Sequence, residues 1–341
     1  MFDVAIVGGG PAGSSCAAFC ARAGLRVVVF EREDFPREKV CGDCLNPSVW
    51  PVLRRLELES RVRELPHAQL DRVDFIALNG RAVVAELPPR AEIAIKRSLF
   101  DQLLLTRARE LGAEIHERVT IAAAERSGDI WLLNHGEVSA QFLVAADGRN
   151  STVARLLGLL PRIEKERVAL QAHVALPRDF GSRIVLQLLP WGYSGQAPVN
   201  DRELNLCLVG RAATLPQLRN WATQQFRLSP DQQWRTITPL ARPSIAAAHR
   251  NLFLVGDAAR VVEPFTGEGI FYALRSGELA ADAIVNGADY EREHAEIYRG
   301  RLWINQLARA AVVSPRVGSA LLGIAKLHPR LLAALTRKVT K

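Results

Sequence analysis

The run Val4-Ala-Ile-Val7-Gly8-Gly-Gly10-Pro11-Ala12-Gly13 dictates how this chain begins to fold. A short apolar run of β-branched residues reads as a buried parallel strand. The Gly-x-Gly-x-x-Gly that follows divides its work three ways. Gly8 permits a tight turn, Gly10 holds no side chain between backbone and a pyrophosphate, and Gly13 lets the next helix pack close to the strand. A helix is expected over Ser14–Ala23, stopped by Gly24, and a second strand over Leu25–Phe30. The helix N-terminus presents free N–H groups and a positive dipole end to a phosphate. Glu31 stands 18 positions after Gly13, close to the spacing at which an acid takes ribose hydroxyls. Strand, turn, helix and acid together predict nucleotide binding, and the carboxylate argues against a 2′-phosphate beside it.

The chain has 341 residues, 48% of them hydrophobic, enough for a large core and two or three domains. Charged residues at 23% and a mean hydropathy of +0.03 fit a globular protein. The first strand starts at Phe2, and no run reaches the ~18 apolar residues of a membrane span, so a cytoplasmic location is expected. Five cysteines are an odd set for a disulfide framework. Cys16, Cys20 and Cys207 read as small packed residues. Net charge is +8, and the stretch from Arg299 to Lys341 carries nine Lys/Arg and no acid. That tail is either a solvated basic face or a peripheral contact with an anionic membrane surface. No nucleic-acid partner is expected, because aromatic–basic interleaving is missing.

Further along, a helix is expected over Pro47–Leu58, strands over Pro66–Glu86 with a turn at Asn79-Gly80, and an extended piece at 91–97. Ser98 is a candidate N-cap for a helix over Leu99–Leu111 ending at Gly112. Strands follow at Ala113–Val119, Trp131–Leu133 and Val138–Val144. Residues 166–210 alternate apolar and polar (Val168, Leu170, Ala172, Val174, Leu176), the mark of a one-sided antiparallel sheet. A helix over Leu215–Phe226 and a short strand over Asn251–Val255 come next. The fold class expected is α/β: a discontinuous Rossmann-like domain (1–65, 97–160, 246–287), substrate-side strands (66–96), an inserted antiparallel β-sheet substrate domain (161–245) and basic C-terminal helices (288–341).

Three segments then share one pattern. The N-terminal glycine motif is joined by Val144-Ala-Ala-Asp147-Gly148-Arg-Asn and by Val255-Gly256-Asp257-Ala-Ala with Pro264-Phe-Thr-Gly267-Glu-Gly269-Ile270. With Arg97-Ser-Leu-Phe-Asp-Gln-Leu-Leu between them, the chain resembles the p-hydroxybenzoate hydroxylase-like FAD superfamily over roughly residues 1–285. Phe35-Pro-Arg-Glu-Lys-Val-Cys41-Gly42 and Gly267–Gly277 are similar to the geranylgeranyl reductase branch. The Tyr-x-Trp-x-Phe-Pro strand of that branch differs here, its nearest match being Pro190-Trp191-Gly-Tyr193-Ser-Gly.

The resemblance implies a Rossmann-like FAD-binding domain, with FAD held by Gly8, Gly10, Pro11, Ala12, Gly13, Glu31, Arg32, Cys41, Gly42, Arg97, Val119, Asp147, Gly148, Gly256, Asp257, Pro264, Gly267, Gly269 and Ile270. It implies NAD(P)H as a transient reductant. It points to Cys41 beside the flavin as a catalytic residue, and to Tyr193 and Trp191 as substrate contacts. Cys41-Gly-Asp-Cys44 alone would also suit a redox dithiol, but a second nicotinamide motif is missing. A zinc site would need two more ligands, so no metal is expected. His173 reads as structural. The function expected is an FAD-dependent oxidoreductase that reduces a double bond of a small apolar or aromatic substrate. A flavin monooxygenase and a non-enzymatic flavin-fold binding protein are the alternatives.

Overall fold

The computed structural model describes residues 1–161, 167–264 and 267–327. The Val4–Val7 run forms the centre of an eight-stranded sheet whose main path is Ala248–His249, Leu252–Leu254, Val138–Ala145, Phe2–Val7, Val27–Phe30 and Glu114–His116. The middle strands pair in parallel: Val7 lies beside Ala145 and Phe30, and Ala145 beside Leu254. Val27–Phe30 is buried at every position, as expected of a parallel strand covered on both faces. The helix after the glycines runs Pro11–Arg22, three residues earlier than the sequence suggested, because Pro11 can occupy a first turn that needs no amide donor. Gly24 follows its end at φ +86°.

Two glycines are required by closeness of approach. A Cβ on Gly13 would stand 1.9 Å from the Gly8 carbonyl oxygen. A Cβ on Gly277 would stand 2.2 Å from the carbonyl oxygen of Ala12. Gly277 belongs to the long helix Gly269–Asn286, which therefore crosses the first helix with backbones almost touching.

The second sheet has seven strands in the order Arg235–Ile237, Val168–Ala175, Glu203–Gly210, Gly192–Pro198, Arg183–Leu189, Arg72–Ile76 and Ala82–Glu86. It is antiparallel except where Arg183–Leu189 runs parallel to Arg72–Ile76. The alternation at 166–176 is real, but the sheet is not one-sided. Leu170, Ala172 and Val174 pack against the helix Leu215–Phe226 through Leu218 and Ala222. The intervening Ala169 and Gln171 are buried too, because the other face meets the first domain across a cavity. A three-stranded sheet, Cys44–Leu45, Glu92–Ala94 and Ala68–Leu70, joins the two bodies.

Local expectations fail at caps and short helices. The helix at 97 begins on Arg97, so Ser98 lies inside it and caps nothing. Residues 47–64 form a 3₁₀ turn Pro47–Val49 and two short helices, Trp50–Arg55 and Glu59–Glu64, in place of one helix. The Asn79-Gly80 turn forms, with Gly80 at φ +76°. At the C-terminal end the helices Leu302–Val313 and Pro315–Leu327 pack on each other and on the second sheet. Part of the basic tail, residues 328–341, lies outside the described residues.

Candidate active site

The carboxyl ends of the central parallel strands open onto a cavity of about 1130 Å³ that continues under the second sheet. This is where ligands bind in open α/β sheets, and the volume exceeds that of one drug-sized ligand, ~300–1,000 Å³. Of the cofactor residues expected from sequence, all but Gly13 line it. Gly13 sits beneath, where its lack of a side chain closes the helix on the turn.

At the nucleotide end, Glu31 is buried and fixed by backbone. Its Oε2 accepts from Gly9 N at 2.9 Å and its Oε1 from Glu33 N at 3.1 Å. Its own carbonyl accepts from Val119 N at 2.9 Å, which brings Val119 to the same wall. The first helix has no side-chain cap at Gly10, so its terminal N–H groups face the cavity uncommitted. Arg32 lines the rim, in an exposed pair with Glu33.

Deeper in, four cations gather: Arg37, Lys39, Arg97 and Arg149. Arg97 is buried and grips Asp101 through two bonds of 2.7 and 2.8 Å. Arg37 Nη1 lies 3.2 Å from the same carboxylate without a hydrogen-bond angle. Arg149 bonds Asp257 Oδ2 at 2.8 Å. Burial, then the neighbouring guanidinium groups, lower the Lys39 ammonium to about 8. Asp101 and Asp257 pair with three of the four, and Lys39, in no ion pair among the described residues, suits an anion. Sequence reading missed Arg37, Lys39 and Arg149. The alternation Arg37-x-Lys39-x-Cys41, in a loop leading from a ribose acid, was the available signal. Asp147 holds the turn at Gly148 by accepting from Thr152 N and Val153 N, and its other oxygen is buried with no partner among the described residues.

The loop Gly267–Ile270 lines the far side with Pro264 and Gly256. A Cβ on Gly267 or Gly269 would meet nothing within 4 Å, so their backbone is open to a flat ring. The helix Gly269–Asn286 starts here with no side-chain cap, and its positive end would favour charge arriving on that ring. Glu268, fully buried at this helix start, would oppose that field, but Arg301 Nη1 at 2.9 Å, Tyr272 Oη at 2.8 Å and Asn305 Nδ2 at 3.3 Å all donate to it.

Cys41 and Cys44 both line the cavity as free thiols. Burial pushes Cys41 up, with Arg97 opposing, and pushes Cys44 up further. Cys44 is thus a wall residue and not only a packed one, and Cys207 likewise lines the cavity and donates to the Cys41 carbonyl at 3.3 Å. Asn205 Nδ2 donates to that same carbonyl at 2.7 Å, tying the loop to the second sheet. Between the cysteines Asp43 takes φ +61° and lies 2.7 Å from His173 Nε2. His173 therefore anchors the loop. Tyr193 is 3% exposed and lines the cavity, whereas Trp191 is 41% exposed at the strand turn and outside it. Of the two residues expected as substrate contacts, Tyr193 is thus on the cavity wall and Trp191 is not among its lining.

The residues present fit FAD. Glu31 suits its ribose, the helix terminus and the cation cluster suit its pyrophosphate, and the open Gly267–Ile270 backbone suits its ring. Bound FAD supplies hydride and electron transfer, while the chain positions and shields it.

Comparison with known proteins agrees. Residues 1–181 match the FAD binding domain family. The chain is 32% identical over 324 residues to a menaquinone reductase of Mycolicibacterium smegmatis, covering 84% of this chain and 76% of that protein. It is 27% identical over 332 residues to digeranylgeranylglycerophospholipid reductase 1 of Methanopyrus kandleri, covering 87% and 84%. Among solved structures, a flavin-dependent brominase is similar in fold at a TM-score of 0.80 and 22% identity, over 99% of this chain and 93% of that one. PqsL of Pseudomonas aeruginosa, in complex with 2-aminobenzoylacetate, is similar at 0.77 and 20%, over 94% and 99%. The chain belongs to the FAD-binding family, within the p-hydroxybenzoate hydroxylase-like superfamily and its geranylgeranyl reductase-like branch, and is an FAD-dependent oxidoreductase.

Proposed function

We propose that the protein is a reductase that takes a hydride from NAD(P)H onto FAD and saturates a carbon–carbon double bond of an apolar, polyprenyl-bearing lipid. The observation that carries this is the far half of the cavity. Leu186 and Leu188 of the second sheet and Ala308, Ala311, Leu321 and Leu322 of the C-terminal helices give it an apolar wall. The same helices leave Trp303 45% and Ile324 53% exposed. Such a wall suits a hydrocarbon chain entering from an apolar phase. The relatives named for menaquinone and for a digeranylgeranyl lipid act on molecules with polyprenyl chains, which supports the same class here.

The exposed apolar faces and the basic residues after Arg299 support a peripheral stay at an anionic membrane surface. No helix among the described residues is long and apolar enough to cross a membrane. The test is incubation of FAD-loaded protein with NADH or NADPH and a short-chain polyprenyl quinone, followed by product mass. A gain of two hydrogens per double bond without oxygen uptake is expected. Insertion of an oxygen atom would establish the monooxygenase instead.

A further inference from the structure

The cavity holds one acid that neither the FAD fit nor the hydride chemistry uses. Glu92, on the three-stranded sheet, lines the cavity wall and is 6% exposed. Its wall neighbours include Val73, Leu87 and Cys44, and among the described residues no cation or donor pairs with its carboxyl. A carboxylate so placed is costly, so the group stays protonated and is a hydrogen-bond donor. Burial alone pushes Glu92 up to about 8, which agrees with the geometry.

A second polar group shares the wall. Cys44 pairs with Ala94 and Leu45 with Ile93, and continuing that register sets Asn46 across from Glu92. Asn46 is 3% exposed and lines the same cavity. Its Oδ1 is committed to Ser48 N at 3.2 Å, which fixes the amide orientation. Its Nδ2 has no acceptor among the described residues. A carboxyl O–H and an amide N–H thus share one wall of the cavity, and among the described residues the Asn46 amide hydrogens are taken by no acceptor.

We propose that Glu92 and Asn46 form the anchor for a neutral carbonyl oxygen on the apolar substrate, a ring ketone of the quinone class. An ammonium group does not suit the site, because the Asn46 donor repels a cation; the cations Arg37, Lys39, Arg97 and Arg149 line the same cavity. An anionic head group would lodge on those cations instead. A pure hydrocarbon would leave both donors unsatisfied, which costs binding. The inference rests on the reductase reading for its substrate and adds the head group that orients it.

The test measures binding of 2-methyl-1,4-naphthoquinone and of 2-methylnaphthalene, its oxygen-free counterpart, to the FAD-loaded protein by equilibrium dialysis. The parent is expected to favour the quinone by about tenfold, the scale of one good hydrogen bond. Glu92→Leu and Asn46→Asp, the latter keeping the acceptor for Ser48, should each bring the ratio near one. Glu92→Gln, which retains a donor, should keep it. FAD content by absorbance checks that every variant is folded and loaded. A parent without preference, or a preference unmoved in Glu92→Leu and Asn46→Asp, overturns the anchor. So does loss of FAD affinity in both with the preference intact, which would assign the donors to the flavin carbonyls. The reductase reading is scored separately, by saturation of a polyprenyl alcohol that has no carbonyl. Saturation without a quinone preference defeats only the anchor, and a preference without saturation defeats only the reductase.

Discussion

Between about 4.5 and 8 the folded protein keeps a proton on Glu92 that the unfolded chain has already released, since burial holds the carboxyl up to about 8 against an ordinary 4.5. The native state therefore binds more protons than the unfolded state in this window, and stability falls as pH rises through it, levelling off above. Cys44, the titratable group beside Glu92, is pushed well above its usual range and stays neutral throughout. Glu92→Gln removes the effect. Its thermal midpoint should gain on the parent steadily from pH 5 to pH 8, and a constant gap would contradict the assignment. The Glu31 carboxyl is tied to the Gly9 and Glu33 amides. Glu31→Arg should raise the FAD dissociation constant by a factor equivalent to about 1.5–3 kcal/mol, measurable by flavin fluorescence, and an unchanged constant would remove Glu31 from the site. Cys41 and Cys44 are neutral thiols, so reductive titration should stop at two electrons per chain. Uptake of four would establish a working Cys41–Cys44 dithiol. At this scale the glycines, Glu31 and Asp147 were legible because local spacing sets their roles. Glu92, Asn46 and Lys39 were not, since their properties come from what the fold removes around them, chiefly water.

Elements were legible where hydrophobic period or glycine decides the matter. The helix Leu215–Phe226 and the strands around Val4–Val7 fall where the pattern puts them, while Ser98 misleads because Arg97, drawn onto Asp101, is already helical. What no local pattern encodes is contact between elements. Gly277 sits in a quoted motif, yet its need is set by Ala12, from the other end of the chain. Gly277→Ala should cost on the order of 3 kcal/mol through overpacking and loosen FAD with it, because the displaced helix carries the nucleotide turn; denaturant titration and flavin binding check both. Likewise the C-terminal helices are held on the flavin loop by Arg301. Arg301→Ala strands a fully buried Glu268 carboxylate and should cost about 3–5 kcal/mol. Adding Glu268→Gln should recover much of that loss, and a double variant no more stable than Arg301→Ala would show that the charge was never the issue.

For the whole molecule, the sequence points to more than one body but not to a shared cavity, since strands far apart in the chain meet in both sheets. The surface consequence is testable: the protein should sediment with anionic vesicles at low salt and less at high salt, and equal binding to neutral vesicles, or none to either, would end the membrane proposal. The parallel pairing of Arg72–Ile76 with Arg183–Leu189, and of Val138–Ala145 with Leu252–Leu254, has a further consequence. Each sheet is threaded through the other's sequence, so the second cannot be finished before residue 237 is made, nor the first before residue 254. Assembly then depends on distant closures, which are slow and leave unpaired edges exposed meanwhile. A fragment of residues 1–160 has every N-terminal nucleotide signature and lacks the strand and flavin loop that complete the pocket. Nascent chains should therefore acquire FAD only after residue 270 has been made, so that flavin binding comes late to a fold otherwise slow to commit.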